Sequence, residues 1–400
     1  MKRVRFEYAG PVAELVSRQI MGEAIPGFHR RALAGATVSG SADWVVRLGE
    51  NLLFDAGGLQ LLAAALARYE GPADRLEVHL VPDPIAARDY YGLQSGLNPD
   101  GTVRLPAEAF RVTPPASPPA RSPAVLCVTL PSSITPIPFP RSLTAPTDAS
   151  APHALLLAFD GDFDLLFANQ IAWPAELRRR VPRSPGALLR AAFRRHPRDA
   201  RLRAACAYRR IDPAAEVHPT AVIEGSIIGP GARIGAHCTV RFSVIGADVR
   251  LHDGAKVEFS TVGRGSWLMH DLVLFRCHVE DEVFLIHGPY QFSCFHSRSA
   301  AFATILMDWL PHGGAFKVVT PRGLSEYRGR FLGSVYREGA RTLGGSLLAP
   351  GRIVPANTWL SGDPAQVHRR VDATLPQSAP VPPAGERPVP EDSGAGRGDF

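Results

Sequence analysis

The sequence predicts a mainly β protein, a parallel β-helix of 17-residue coils fused to an N-terminal α/β domain. Aliphatic residues return every 17 positions in three series: Ile211, Ile228, Ile245, Val262 and Val279; Val217, Ile234, Leu251, Leu268 and Leu285; Ile223, Val240, Val257 and Leu274. Within one unit they are six, six and five residues apart, which is one turn of a three-sided coil with one side a residue short. The first 175 residues carry no such repeat and mix strand-like apolar runs with a helical one.

In residues 1–175 the runs LEVHLV (76–81), AVLCVTL (124–130) and HALLLAF (153–159) read as strands, and LQLLAAALARY (59–69) as a helix, with a proline-rich loop over 106–123. Residues 176–210 are dense in Arg and Ala and broken by Pro182, Pro185 and Pro197, as an Arg-rich helical linker would be. Its charge suits either a solvated face or a contact with nucleotide or coenzyme phosphates. Residues 211–295 are the β-helix. The 17-residue register is lost over 296–330, an irregular insertion in which SAAFATILMDWL (299–310) reads as a helix leaving the prism, to lid a site or meet a neighbouring subunit. Leu348, Val354 and Leu360 restore the six-residue step in closing coils over 331–370, and 371–400 is a tail too rich in Pro, Gly and charge to fold alone.

Inside the coils, small residues stand two places before each aliphatic one. Ser226, Ser243, Ser260, Cys277 and Cys294 form one column; Ala215, Ala232, Val249, Ser266 and Val283 a second; Ala221, Cys238, Ala255 and Leu272 a third. Gly229, Gly235, Gly246 and Gly263 follow aliphatic residues, as a tight turn needing positive φ prefers. Coils stacked about 4.8 Å apart would set like side chains in ladders.

The net charge of +6 comes mostly from arginine, with no recognition motif beside it, so no nucleic-acid partner is expected. Five cysteines without C-x-x-C spacing indicate neither a disulfide framework nor a zinc site, and a reducing cytoplasmic location follows. The start lacks an apolar export segment, and no run of about 18 apolar residues occurs, so no membrane span is expected.

The chemistry-bearing residues gather at one corner. His270 and His287 each lie two places after an inward aliphatic residue, and Asp253 holds that place one coil earlier, giving a ladder of Asp253, His270 and His287 with rungs about 5 Å apart. Stacked imidazoles cannot both be cationic cheaply, so one should stay neutral near pH 7 and serve as a general base, with a carboxylate fixing its tautomer. A zinc site from His278, His287 and His296 is not expected, because their spacing is wide.

These columns resemble the hexapeptide-repeat acyltransferase superfamily, which implies a left-handed winding, a homotrimer, and an acyl donor lying between two prisms. The runs LMHDLVL (268–274) and CHVEDEVFLIHGPYQFSCF (277–295) resemble the active-site region of UDP-N-acetylglucosamine acyltransferases. The resemblance implies that His270 is the catalytic base, with Asp271 after it, and that His278, Gln291 and Phe292 line the donor and acceptor cleft. Tyr290 stands where that family has a histidine before Gln-Phe. Acyl-CoA or acyl carrier protein is the implied donor substrate, an amino sugar or nucleotide sugar the acceptor, and no bound cofactor or metal is called for.

The segment DGDFDLLFANQIA (160–172) resembles the stretch preceding the β-helix in bifunctional sugar-nucleotide enzymes, but their glycine-rich phosphate loop is absent. The N-terminal domain is therefore expected to be inactive or altered. Two other readings stay open: a sugar-nucleotide binding or nucleotidyltransferase-like protein with the β-helix as a trimerisation platform, and a non-catalytic scaffold.

Overall fold

The 17-residue period becomes three parallel faces in the computed structural model, which describes residues 3–36, 42–112, 123–137, 147–180, 209–306, 308 and 314–361. The first face has eight strands, from Arg210–Ile211 to Ile353–Val354, and the second has eight, from Glu216–Val217 to Trp359–Leu360. The third runs over five, Val222–Glu224 to Tyr290–Gln291, with a further pair, Ile305–Leu306 and Leu347–Leu348, beyond them. Ile228 pairs with Ile245, Leu251 with Leu268 and Val257 with Leu274, so the aliphatic series lie directly over one another. These three sheets fit the left-handed β-helix. Their inward residues are buried, and each Ile or Leu taken from water contributes about 1.5–3 kcal/mol.

Corners turn through left-handed backbone. At the corner after the third face, Phe242, Phe259, Arg276 and Phe292 have φ of 48°, 50°, 51° and 48°. Bulky residues are rare there, and packing compensates. Trp173, on the helix Asp162–Arg180, meets Phe242 and Phe259 edge-on or tilted at 5.6 Å. Its indole N–H donates to the Phe242 carbonyl.

The glycines after aliphatic residues serve a different purpose from the one expected. Gly229 and Gly263 do not have positive φ, but a Cβ on either would lie 2.8 Å and 2.4 Å from the carbonyl carbons of Gly246 and Glu280 on the next coil. Close stacking of coils excludes the side chain. The positive φ falls instead on corner residues such as Gly231 and Gly254.

The serine column also needs correction. Leu274 pairs with Tyr290, and Val279 with Phe295, so this coil is 16 residues long and the fifth member is Ser293, not Cys294. Each member accepts the N–H of its successor: Ser243 N–H to Ser226 Oγ (3.0 Å), Cys277 N–H to Ser260 Oγ (3.0 Å), Ser293 N–H to Cys277 Sγ (3.5 Å) and Ser334 N–H to Ser293 Oγ (3.1 Å). Cys294 points outward, into the core shared with the N-terminal domain.

The same one-residue loss hid the next coil. Residues read as a helix over 299–310 contain the strands Ala300–Phe302 and Ile305–Leu306; Trp309 and Leu310 lie outside the described residues. The insertion narrows to the antiparallel hairpin Phe316–Thr320 and Gly323–Tyr327, after which Val335 and Arg341 return to the first two faces. Tyr327 Oη donates to the Asp89 carbonyl (2.6 Å) and Arg322 to that of Leu93 (2.8 Å), tying the hairpin to the N-terminal domain.

The N-terminal domain is a five-stranded mixed sheet in the order Val4–Tyr8, Trp44–Leu48, Val103–Arg111, Arg75–Val81 and Ala124–Thr129. The expected helix is Ala56–Arg68, with Leu59, Leu62 and Leu66 buried and Asp55 accepting the Gly58 N–H at its start (2.7 Å). The proline-rich loop begins later than expected. Pro106 sits inside a central strand because the register shifts between Glu77 and His79, and a bulge tolerates the missing N–H. Residues 113–122 of that loop, 181–208 of the linker and 362–400 lie outside the described residues. Among the described residues no helix is long and apolar enough to cross a membrane.

Candidate functional site

His270 is exposed at the corner after the second face, where Asp271 takes the left-handed position with φ of 54°. The imidazole beside it is His252, from the preceding coil. The two ring centroids are 4.9 Å apart, tilted by 65°. Burial first, then the charge of His270, pushes the His252 imidazole below its usual pKa, and its Nε2 is buried with no hydrogen-bond partner among the described residues. A neutral ring next to a second imidazole is what repulsion between two cations favours.

Other members of the expected ladder have different partners. Asp253 is exposed, and its Oδ1 accepts the Ala236 N–H at 2.7 Å, which fixes the corner of the coil below. Asp271 N–H donates to the Asp253 carbonyl (3.0 Å). His287 lies where the coil has lost a residue, and it takes the left-handed position itself, with φ of 59°. Column counting alone therefore overlooked His252. Its ring lies one residue before Asp253 in the chain yet reaches the next coil.

Alongside the pair runs an exposed cationic and aromatic stripe of the second face. The Arg250 guanidinium lies over the Trp267 ring at 4.3 Å, His252 is 6.4 Å from the same ring, and Trp267 is 40% exposed. An open depression of about 590 Å³ flanks them, lined by Arg233, Arg250, His252, Asp253 and His218.

The residues expected in the acyl cleft lie elsewhere in the chain's own packing. His278 is completely buried on the first face, beneath the N-terminal domain. Thr261 Oγ1 is 2.6 Å from its Nδ1, and burial pushes its pKa down to about 4, so it is neutral. Glu280, equally buried, accepts from Arg18 (3.2 Å) and the Ser297 N–H (3.0 Å). Burial would raise its pKa, but His296, His278 and Arg18 together hold it at about 2. His296 Nε2 lies 3.5 Å from Asp162 Oδ1, at the start of the long helix. This cluster is the polar centre of the interface between the two parts of the chain. Gln291 and Phe292, both half-buried, line a separate, partly open cavity. Among the described residues no group of three His, Cys, Asp or Glu side chains is placed to hold a metal ion.

No protein-family model matches the chain, and no curated protein matches it. Solved structures similar to it include a perosamine N-acetyltransferase variant from Caulobacter crescentus in complex with CoA and GDP-perosamine: 16% identity, 25% of this chain and 48% of that one covered, TM-score 0.20. A hexapeptide transferase family protein from Anaplasma phagocytophilum matches at 16% identity over 39% of this chain and 75% of that one, TM-score 0.18. A UDP-N-acetylglucosamine O-acyltransferase from Moraxella catarrhalis matches at 14% identity over 39% and 70%, TM-score 0.18. The chain thus spans about half the length of the perosamine enzyme. Likenesses this low carry no argument, and the fold rests on the pairing of the coils.

Proposed function

We propose that the chain is an acyltransferase that moves an acyl group from a thioester donor, acyl-CoA or acyl carrier protein, to an amino sugar or nucleotide sugar. The observation that supports the reading is the pair of an exposed His270 and a half-buried His252 at a corner of the prism, the His252 ring disfavoured as a cation. In that reaction His270 takes the proton of the acceptor hydroxyl or amine as its oxygen or nitrogen attacks the thioester carbonyl. Collapse of the tetrahedral intermediate breaks the carbon–sulfur bond, and the thiolate leaves with the proton returned from the imidazolium. Arg233 and Arg250 offer cations for donor phosphates, and the half-exposed Trp267 offers a ring face for stacking.

Working as a homotrimer, as the resemblance implies, the prism would complete the donor groove with a second copy. The test is coenzyme A release by purified protein over a panel of acyl-CoAs, with UDP-N-acetylglucosamine and simple amino sugars as acceptors. We expect His270→Ala to lower turnover about 100-fold or more. Turnover untouched by that substitution would remove His270 from the chemistry, and a monomer by light scattering would remove the shared groove.

A further inference from the structure

We propose that the partly open cavity between the N-terminal domain, the third-face corner and the hairpin binds a medium-chain carboxylate, its acid group at Arg330 on the wall that also carries Arg276 and its chain among phenylalanines. The site shares no residue with the His252–His270 pair, and the inference stands apart from the acyltransferase reading.

The cavity holds about 400 Å³, within the range of small-molecule sites. Its walls are mainly ring faces. Phe292 stacks on Phe331 at 4.8 Å with 10° between planes, Phe275 meets Phe292 edge-on at 5.7 Å, and Phe167 closes another side. Such a lining takes an apolar body and gives a hydrated polyanion little to bind.

Two cations interrupt the lining. The Arg276 guanidinium lies 5.6 Å and 6.0 Å from the Phe259 and Phe275 centroids, held by ring faces and by a hydrogen bond with the Tyr90 hydroxyl. Arg330 Nη1 is buried and has no hydrogen-bond partner among the described residues. Desolvation, then the charge of Arg88, pushes the Arg330 guanidinium below its usual pKa, against the smaller opposing pull of Asp89 and Asp148. Asp89, also on the wall, is already engaged by Arg88 through two hydrogen bonds of 2.6 Å and 2.9 Å. A guanidinium remains charged in a protein, and a buried unpaired donor is costly, so a carboxylate in the cavity would satisfy Arg330, with the positive charge of Arg276 on the same wall. The Gln291 amide on the same wall supplies a neutral donor.

The experiment is calorimetric titration of the full chain with octanoate and with 1-octanol. The expected result is saturable binding of one octanoate per chain, about tenfold or more tighter than the alcohol, and weakened about tenfold or more in Arg330→Gln and in Arg276→Gln. Non-saturating uptake, equal affinity for the alcohol, no binding at millimolar octanoate, or folded arginine variants that bind like the wild type would each overturn the proposal. If a variant does not fold, the comparison of acid with alcohol on the unaltered protein decides.

Discussion

His252 and His270 show how much a single pair of side chains determines. With the rings 4.9 Å apart, the charge of His270 lowers the proton affinity of His252. In His270→Ala the second cause of the His252 shift is gone, and the His252 pKa should move upward towards that of an ordinary histidine. Histidine NMR titration of wild type and variant checks this; an unchanged His252 curve would mean the rings do not sense each other. The sequence places His270 correctly at an exposed corner, but spacing assigns columns, not side-chain directions, and so it could not pair His270 with His252. His278 was illegible for another reason. Its column faces outward, and only the N-terminal domain, distant in sequence, takes it out of water.

The serine ladder belongs to the element. At this corner the left-handed turn leaves a backbone N–H that the stacked coil below satisfies with a side chain. Ser260→Ala would leave the buried Cys277 N–H without an acceptor, at about 1–3 kcal/mol, seen as a lower urea midpoint with unchanged m. Ser260→Cys should recover most of that loss, since Cys277 already fills the same role for Ser293. Equal midpoints for Ala and wild type would refute the ladder. The prism was legible through Leu285 because its columns keep strict register. It became illegible where Gly288 and Pro289 carry the shortened corner, because one lost residue shifts every later position onto the neighbouring column. Pro106 misled in the opposite direction: proline usually ends a central strand, but here a bulge relieves it of donating.

At the scale of the whole molecule, the two parts of the chain meet across buried charge. Glu280 is fully buried and shared among Arg18, His296 and Ser297, so removing Arg18 takes one charged partner from a buried carboxylate. Arg18→Ala should therefore destabilise by about 1–3 kcal/mol, read from thermal or urea unfolding. An unchanged unfolding midpoint would refute the pairing. Acid should act on the same interface. His278, at about 4, is depressed below the unfolded 6.5, and Glu280, at about 2, below 4.5; His29, inside the N-terminal domain against Tyr8 and Phe54, is depressed to about 3 and adds to the same trend. Unfolded chains then bind more protons, so stability is full above pH 6.5, falls through the histidine window, and falls further below pH 4.5. A melting temperature flat from pH 7 to pH 4 would contradict this; the Glu280→Gln variant should lose the lower part of the decline.

The central claim is that the corner imidazoles carry out the transfer, and the most direct measurement is coenzyme A release by wild type, His252→Ala, His270→Ala and the double variant under one set of conditions. The expected result is a loss of about 100-fold or more in His270→Ala and no multiplicative loss on combining the two, as for groups acting as one unit. Wild-type turnover retained in all three variants would contradict it.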